Sequence, residues 1–255
     1  MRFGACAGGI DRYIASVNAG CDFVEFNAKQ IGDYSKEKFN ETLALIKEYG
    51  VIAEATNCLF PGEIAISGSE MKPEVVNEYT DTLFYKLAQL GVKVSVFGSG
   101  GARSIPEGED PAECMERFYK SIYITAENAK KNGIAVALEP LRSAECNILN
   151  TVEKAAEICK AVNHSSVGIN PDLYHMYCEN EPFEHLAKYI QYIKHVHIGD
   201  YTRRRYPTPD DGCEYSRILN ILKTVGYTGR VSIESSTDDY ENDCRQALEI
   251  LRNAL

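Results

Sequence analysis

No uninterrupted apolar run in the sequence approaches the roughly 18 residues that a membrane-spanning helix needs. A membrane partner is therefore not expected. Positive charge is in short supply: 27 Lys and Arg stand against 37 Asp and Glu, a formal net charge of −10. That balance argues against a nucleic-acid partner, because phosphate contacts require clustered Lys and Arg. The only basic run is Arg203-Arg204-Arg205. The nine Cys are scattered singly and no Cys-x-x-Cys occurs. Neither a disulfide framework nor a zinc ribbon fits, so reduced and mostly core thiols are expected. A secretory signal is also missing, since Met1-Arg2-Phe3-Gly4 opens as strand-like sequence. The expectation is a cytoplasmic protein.

What is present is an ordinary globular composition, 44% hydrophobic and 25% charged, with no linker or low-complexity segment. Short β-branched runs alternate with longer helical patterns from end to end. The predicted strands are 2–6, 23–26, 52–55, 92–97, 135–138, 167–170, 192–197 and 231–233. Amphipathic stretches between them include 35–49, 75–90, 111–132 and 151–162, and Gly50, Gly91 and Gly133 stand where helices end. Eight strand-helix units in 255 residues predict an α/β protein, a (β/α)8 TIM barrel forming a single domain over residues 1–255. An open doubly wound sheet is the rival. It usually carries a glycine fingerprint after its first strand, and Gly4-Ala5-Cys6-Ala7-Gly8-Gly9 does not fit G-x-G-x-x-G.

Alternate residues of a barrel strand face the axis and the helices. In the last four strands Val136 and Leu138, Val167 and Ile169, Val196 and Ile198, and Val231 and Ile233 share the helix-facing parity. The inward sets are then Ala137 and Glu139, Gly168, Asn170 and Asp172, His195 and His197, and Ser232 and Glu234. Each set ends in an acid or His near the strand's C-terminal end, where barrel active sites are built. Three carboxylates and a His at one mouth repel one another and are costly to desolvate unless a cation neutralises them. Taken singly, each acid reads as a helix cap or an ion-pair partner. Taken together, Glu139, Asp172, His197 and Glu234 predict a site for one divalent metal ion, an oxygen-rich set suited to Mn, Co, Mg or Fe(II).

The ordered motifs Leu138-Glu139-Pro140-Leu141, Asp172-Leu173-Tyr174-His175-Met176, His195-Val196-His197-Ile198-Gly199-Asp200 with Arg203 beyond, and Gly226-Tyr227-Thr228-Gly229 leading to Ile233-Glu234 carry a resemblance. They resemble the sugar phosphate isomerase/epimerase family of xylose isomerase-like TIM barrels, and within it the ketose 3-epimerases of the tagatose/allulose type. The resemblance implies metal ligands at Glu139, Asp172, His197 and Glu234, and an acid/base pair at Glu139 and Glu234. It further implies substrate contacts at Glu145, His175 and Arg203, and a small sugar or sugar phosphate as the partner. A homo-oligomer, dimer or tetramer, is compatible with it. This chain has Arg142-Ser143-Ala144-Glu145 where the epimerases usually carry Asn-Arg-aromatic-Glu, and Asn170-Pro171 before Asp172. Those departures touch the ends of the substrate rather than the chemistry.

Such a site is expected to run proton transfer at C3 of a ketose. A metal bound to the carbonyl oxygen and the adjacent hydroxyl stabilises the enediolate charge, and Glu139 and Glu234 bracket the carbon. Alternatives are a metal-dependent lyase or dehydratase on a keto-sugar or 3-oxo-glycoside, a hydroxypyruvate-type isomerase, and a non-catalytic sugar-binding barrel. Metal-dependent DNA repair hydrolysis fits poorly with five His and an acidic chain. His195 is expected deeper in the barrel than the ligands, and Asp200 beside them. Cys6 is expected to line the pocket. The glycine-rich turn 98–103 is read either as a flexible rim loop or as a phosphate cradle with Arg103 as counter-charge. The apolar loop 56–62 is expected to form a pocket wall or lid, or to pack on a second subunit.

Overall fold

The computed structural model describes residues 1–255. Eight strands form: β1 (Arg2–Gly8), β2 (Phe23–Asn27), β3 (Ala55–Asn57), β4 (Val94–Phe97), β5 (Ala135–Leu138), β6 (Val167–Ile169), β7 (Val196–Ile198) and β8 (Arg230–Ile233). They make one parallel sheet in the order β6-β5-β4-β3-β2-β1-β8-β7. Between β6 and β7 the ladder gives way to isolated bridges, Ile169 with Ile193 and Asp172 with His197. There the Lys194 N–H donates to Ile169 O at 3.0 Å and the His197 N–H to Pro171 O at 2.9 Å, which brings the two edges together. The fold is a TIM barrel.

The helices are α1 (Tyr13–Ala19), α2 (Ala28–Gly32), α3 (Lys36–Tyr49), α4 (Pro73–Gln89), α5 (Pro111–Lys131), α6 (Val152–Val162), α7 (Leu173–Cys178), α8 (His185–Lys188), α9 (Tyr215–Thr224) and α10 (Tyr240–Asn253). Local chemistry starts them: Ser35, Asp110 and Thr151 cap α3, α5 and α6 through side-chain oxygens, with Pro111 in the first turn of α5. Three strands begin later than predicted, the fourth by two residues at Val94. Ile52, on the rim where α3 has just ended, is 43% exposed, so the third strand pairs only from Ala55. Residues 190–192 form a 3₁₀ turn, which delays the seventh strand to Val196.

Strand alternation divides the core in two. Phe23, Ala55, Val94, Val96 and Ala137 form a small buried cluster inside the barrel. Val136, Leu138, Ile169, Val196, Ile198, Val231 and Ile233 belong to the larger cluster shared with the helices. Gly4 makes the inner packing possible, because a Cβ there would lie 2.6 Å from the Phe23 carbonyl oxygen and 2.7 Å from its ring. At the N-terminal end Glu54 accepts from Arg2 at 2.5 Å and from Arg230 at 2.7 Å, tying β1 and β8 to the approach to β3. An apolar plug thus fills the lower barrel, and the next inward positions upward, toward the C-terminal mouth, are polar.

Candidate metal and active site

That polar layer is built by adjacent strands. His197 pairs in register with Ser232 across β7 and β8, and the Glu234 N–H donates to Ile198 O at 3.0 Å. Beyond β6 the Asn170 N–H donates to Leu138 O at 2.8 Å, setting Asn170 beside Glu139. Asp172 caps α7, accepting at Oδ1 from the Tyr174 and His175 N–H groups at 2.7 and 3.2 Å. Its Oδ2 is buried with no partner. Glu139, Asp172, His197 and Glu234 each bring one donor atom within 4.8 Å of the others.

The point of convergence is His197 Nδ1, which lies 2.8 Å from Glu139 Oε1, 3.3 Å from Glu234 Oε2 and 3.9 Å from Asp172 Oδ2. On the far side of the ring, Nε2 lies 3.0 Å from Glu25 Oε1, and the other oxygen of Glu25 lies 2.8 Å from His195 Nε2. Glu25 is wholly buried. Burial alone would raise its carboxyl, but His197 and His195 outweigh that and hold it below the usual carboxylate range. An ionised Glu25 can only accept, so each ring holds a proton on Nε2, and His197 turns Nδ1 toward the three acids, where its second proton sits until an ion would displace it.

The electrostatics seek a positive charge at that point. Burial, then the charge of Glu234, raise Glu139 above the usual range and Asp172 well above it. For Glu234, burial pushes upward, but His197 and Arg204 bring it below its ordinary value. Burial lowers His197, and Glu234, Glu25 and Glu139 together raise it well above an ordinary imidazole. Three hard oxygens, an aimed imidazole nitrogen and an unpartnered buried carboxylate oxygen fit a divalent ion of the Mn, Co or Mg type. Glu139 and Glu234 are further steadied by amides: Asn170 Nδ2 donates to Glu139 Oε1 at 3.0 Å and Asn57 Nδ2 to Glu234 Oε1 at 2.7 Å.

At the rim, the buried His175 accepts at Nδ1 from the Arg142 N–H at 3.2 Å, and its Nε2 has no partner. Burial and the nearby Arg204 push this imidazole down to about 4. Glu145 accepts from Arg142 Nε at 2.6 Å and lies 3.4 Å from Arg204. Arg203 is not brought into the cluster. Its side chain is 59% exposed and donates to Asp200 Oδ2 at 2.6 Å. The neighbouring Arg204 reaches inward instead, 3.4 Å from Glu234 Oε2. Asp200, fully buried, also accepts from the Thr202 and Arg203 N–H groups and so shapes this turn.

The phosphate-cradle reading of the turn after β4 does not hold. Arg103 is fully buried and spends its guanidinium on the carbonyls of Phe97 and Glu139, at 2.9 and 2.5 Å. The loop 56–62 is a packed wall: Leu59 and Phe60 are buried, and the Phe60 ring lies 5.1 Å from Phe97. Cys6 lines the site near Asn57, its thiol kept protonated by burial and by the charge of Glu25. Glu25, Asn57 and Arg204 were not singled out by sequence reasoning. For the first two the signal was available, since both share the inward parity of Phe23 and Ala55.

Comparison with known proteins places the molecule in a class. The xylose isomerase-like TIM barrel family matches residues 14–254, and the chain belongs to that family. Among its relatives, a ketose 3-epimerase of Arthrobacter globiformis is 26% identical over 92% of this chain and 80% of its own length. A D-psicose 3-epimerase of Ruminiclostridium cellulolyticum is 25% identical over 87% of this chain and 76% of its own. A crystal structure of D-psicose 3-epimerase with D-fructose superposes with a TM-score of 0.87 at 21% identity, covering 100% of this chain and 99% of that one. The 3-keto-D-glucoside 4-epimerase from E. coli gives 0.85 at 20%, covering 99% of each chain. At these identities the two structures establish a shared fold.

Proposed function

We propose that this protein is a metal-dependent sugar isomerase or epimerase that transfers a proton at C3 of a ketose, with Glu139 and Glu234 as its acid/base pair. The observation that carries this reading is the convergence of Glu139, Asp172, Glu234 and His197 Nδ1 within 4.8 Å. The relatives named as ketose 3-epimerases support the substrate class. Those four residues would hold a divalent ion, which would supply Lewis acidity at the substrate carbonyl.

The chain's own residues do the rest. Glu139 rises from β5 and Glu234 from β8, three strands away around the ring, so that one removes the C3 proton and the other returns one from the opposite face. Asn57 and Asn170 fix one oxygen of each glutamate. Glu25 holds the His197 ring in the tautomer that leaves Nδ1 directed inward. In this reading His175, Glu145 and Arg204, which meet at the rim, hydrogen-bond the near end of the sugar.

The test is solvent deuterium incorporation into a panel of ketoses with Mn or Co. Exchange at C3 is expected, and Glu139→Gln and Glu234→Gln are each expected to lose at least about 100-fold in rate while remaining folded. Exchange confined to the terminal carbon, or elimination products, would replace this assignment with an aldose/ketose isomerase or a lyase.

A further inference from the structure

One donor at the mouth stands outside the oxygen-rich set. Cys6 faces inward from β1, in register with Glu25 of β2, at the point where the pairing of the two strands slips. Its sulfur and one donor atom each of His197 and Glu234 all lie within 4.8 Å of one another. Asn57 Nδ2 links the thiol to the carboxylate, donating to Cys6 Sγ at 3.5 Å and to Glu234 Oε1 at 2.7 Å. His197 Nε2 is spent on Glu25, so Nδ1 is the nitrogen that serves either side of the cleft. Of the nine free cysteines, Cys6 alone enters such a group.

One sulfur, one imidazole nitrogen and one carboxylate oxygen are the donors of a tetrahedral Zn-type ion that keeps water in its fourth position. Donors at about 2.0–2.3 Å from such an ion stand roughly 3.3–3.8 Å apart, so the set closes with side-chain shifts of about an ångström. The other set, with three carboxylates and the same nitrogen, suits a harder ion of higher coordination number. Both sets need His197 Nδ1, so filling one excludes the other.

From this we propose that the mouth contains a second, mutually exclusive metal site, in which Cys6, His197 and Glu234 take a thiophilic divalent ion of the Zn or Cd type. The inference rests on the proposed reading of the mouth as a metal centre. Binding there sends the Cys6 thiol proton to solvent and leaves a thiolate on the ion. Glu139 and Asp172 stay off the metal, and a hard ion finds no nitrogen left to bind. Thiophilic ions therefore inhibit by displacing the Mn-type ion, and Cys6 is the residue that makes the cleft sensitive to them.

The experiment titrates Cd, which reports a thiolate ligand by its ultraviolet charge-transfer band, into the Mn-loaded full chain. Released Mn is followed by its electron paramagnetic resonance signal. Wild type, Cys6→Ser, Cys6→Ala and Asp172→Asn are compared, each checked for native thermal unfolding. In wild type the thiolate band is expected to grow in step with Mn release. Both Cys6 variants should lose the band and need about tenfold or more Cd to release Mn, with Mn affinity kept within about twofold. Asp172→Asn should do the reverse, weakening Mn by about tenfold or more and keeping the band. A wild-type chain without the band overturns the inference, as does a band that survives both Cys6 variants or one that forms without releasing Mn. The proposed reaction is read separately: a chain that fails to bind Mn sinks that reading, while a Cys6-dependent Cd band on the same chain leaves the thiol site standing.

Discussion

A carboxylate accepts from two imidazoles at once, one on each oxygen, and Glu25 does so with His195 and His197. An amide of the same shape accepts from one ring and presents its own N–H to the other. Glu25→Gln is therefore expected to turn or displace the His197 ring and to weaken Mn binding by about 10–100-fold, read by calorimetry, with the barrel still folded. Unchanged affinity would show that the ring is held by packing alone. Glu25 escaped notice in the sequence because it sits inside the short run Phe23-Val24-Glu25-Phe26, apolar on both faces around it, although it shares the parity of Phe23. The exchange of Arg203 for Arg204 has another cause. Arg204 adopts a φ of +54°, a left-handed turn that reverses which side chain reaches inward, and consecutive arginines give no local cue to it. Arg103 misleads in the same way, since its glycine-rich surroundings suggest an anion cradle while its guanidinium ties two backbone carbonyls together.

Among the elements, the second half of the barrel was the legible half. β5, β6, β7 and β8 carry large aliphatics at every helix-facing position, so the inward polar ends stand out by contrast. In the first half the inward set is Gly4, Cys6, Phe23, Glu25, Ala55, Asn57, Val94 and Val96, where the two polar residues fall on short strands among small or apolar ones and stand out less. The turn after β4 is nevertheless tied to the chemistry. A Cβ at Gly98 would collide with Glu139 Oε2, so the glycine leaves the room that this carboxylate occupies. Gly98→Ala is expected to shift Glu139 and cut deuterium exchange by about tenfold or more, with little loss of folding stability because the displaced group is polar and lines the cleft. A large drop in urea midpoint without a change in rate would place the glycine's role in the fold instead.

Across the whole molecule, the acids of the mouth couple stability to pH. Burial and the charge of Glu234 raise Glu139 and Asp172, so the folded protein keeps protons on them where an unfolded carboxyl has lost its own. By linkage these two groups favour folding least above the carboxylate range. An ion must displace their protons, so its stabilising effect grows as pH rises. The increase in Tm on adding Mn is expected to be larger at about pH 8 than at about pH 5.5 and to disappear with a chelator. A pH-independent increase would place the binding elsewhere. The ring of strands has one join without a continuous ladder, between β6 and β7, and Asp172 and His197 are themselves bridge partners across it. An ion gripped by both residues would act as a rivet across that join, so that filling the cleft and fastening the cylinder would be a single event.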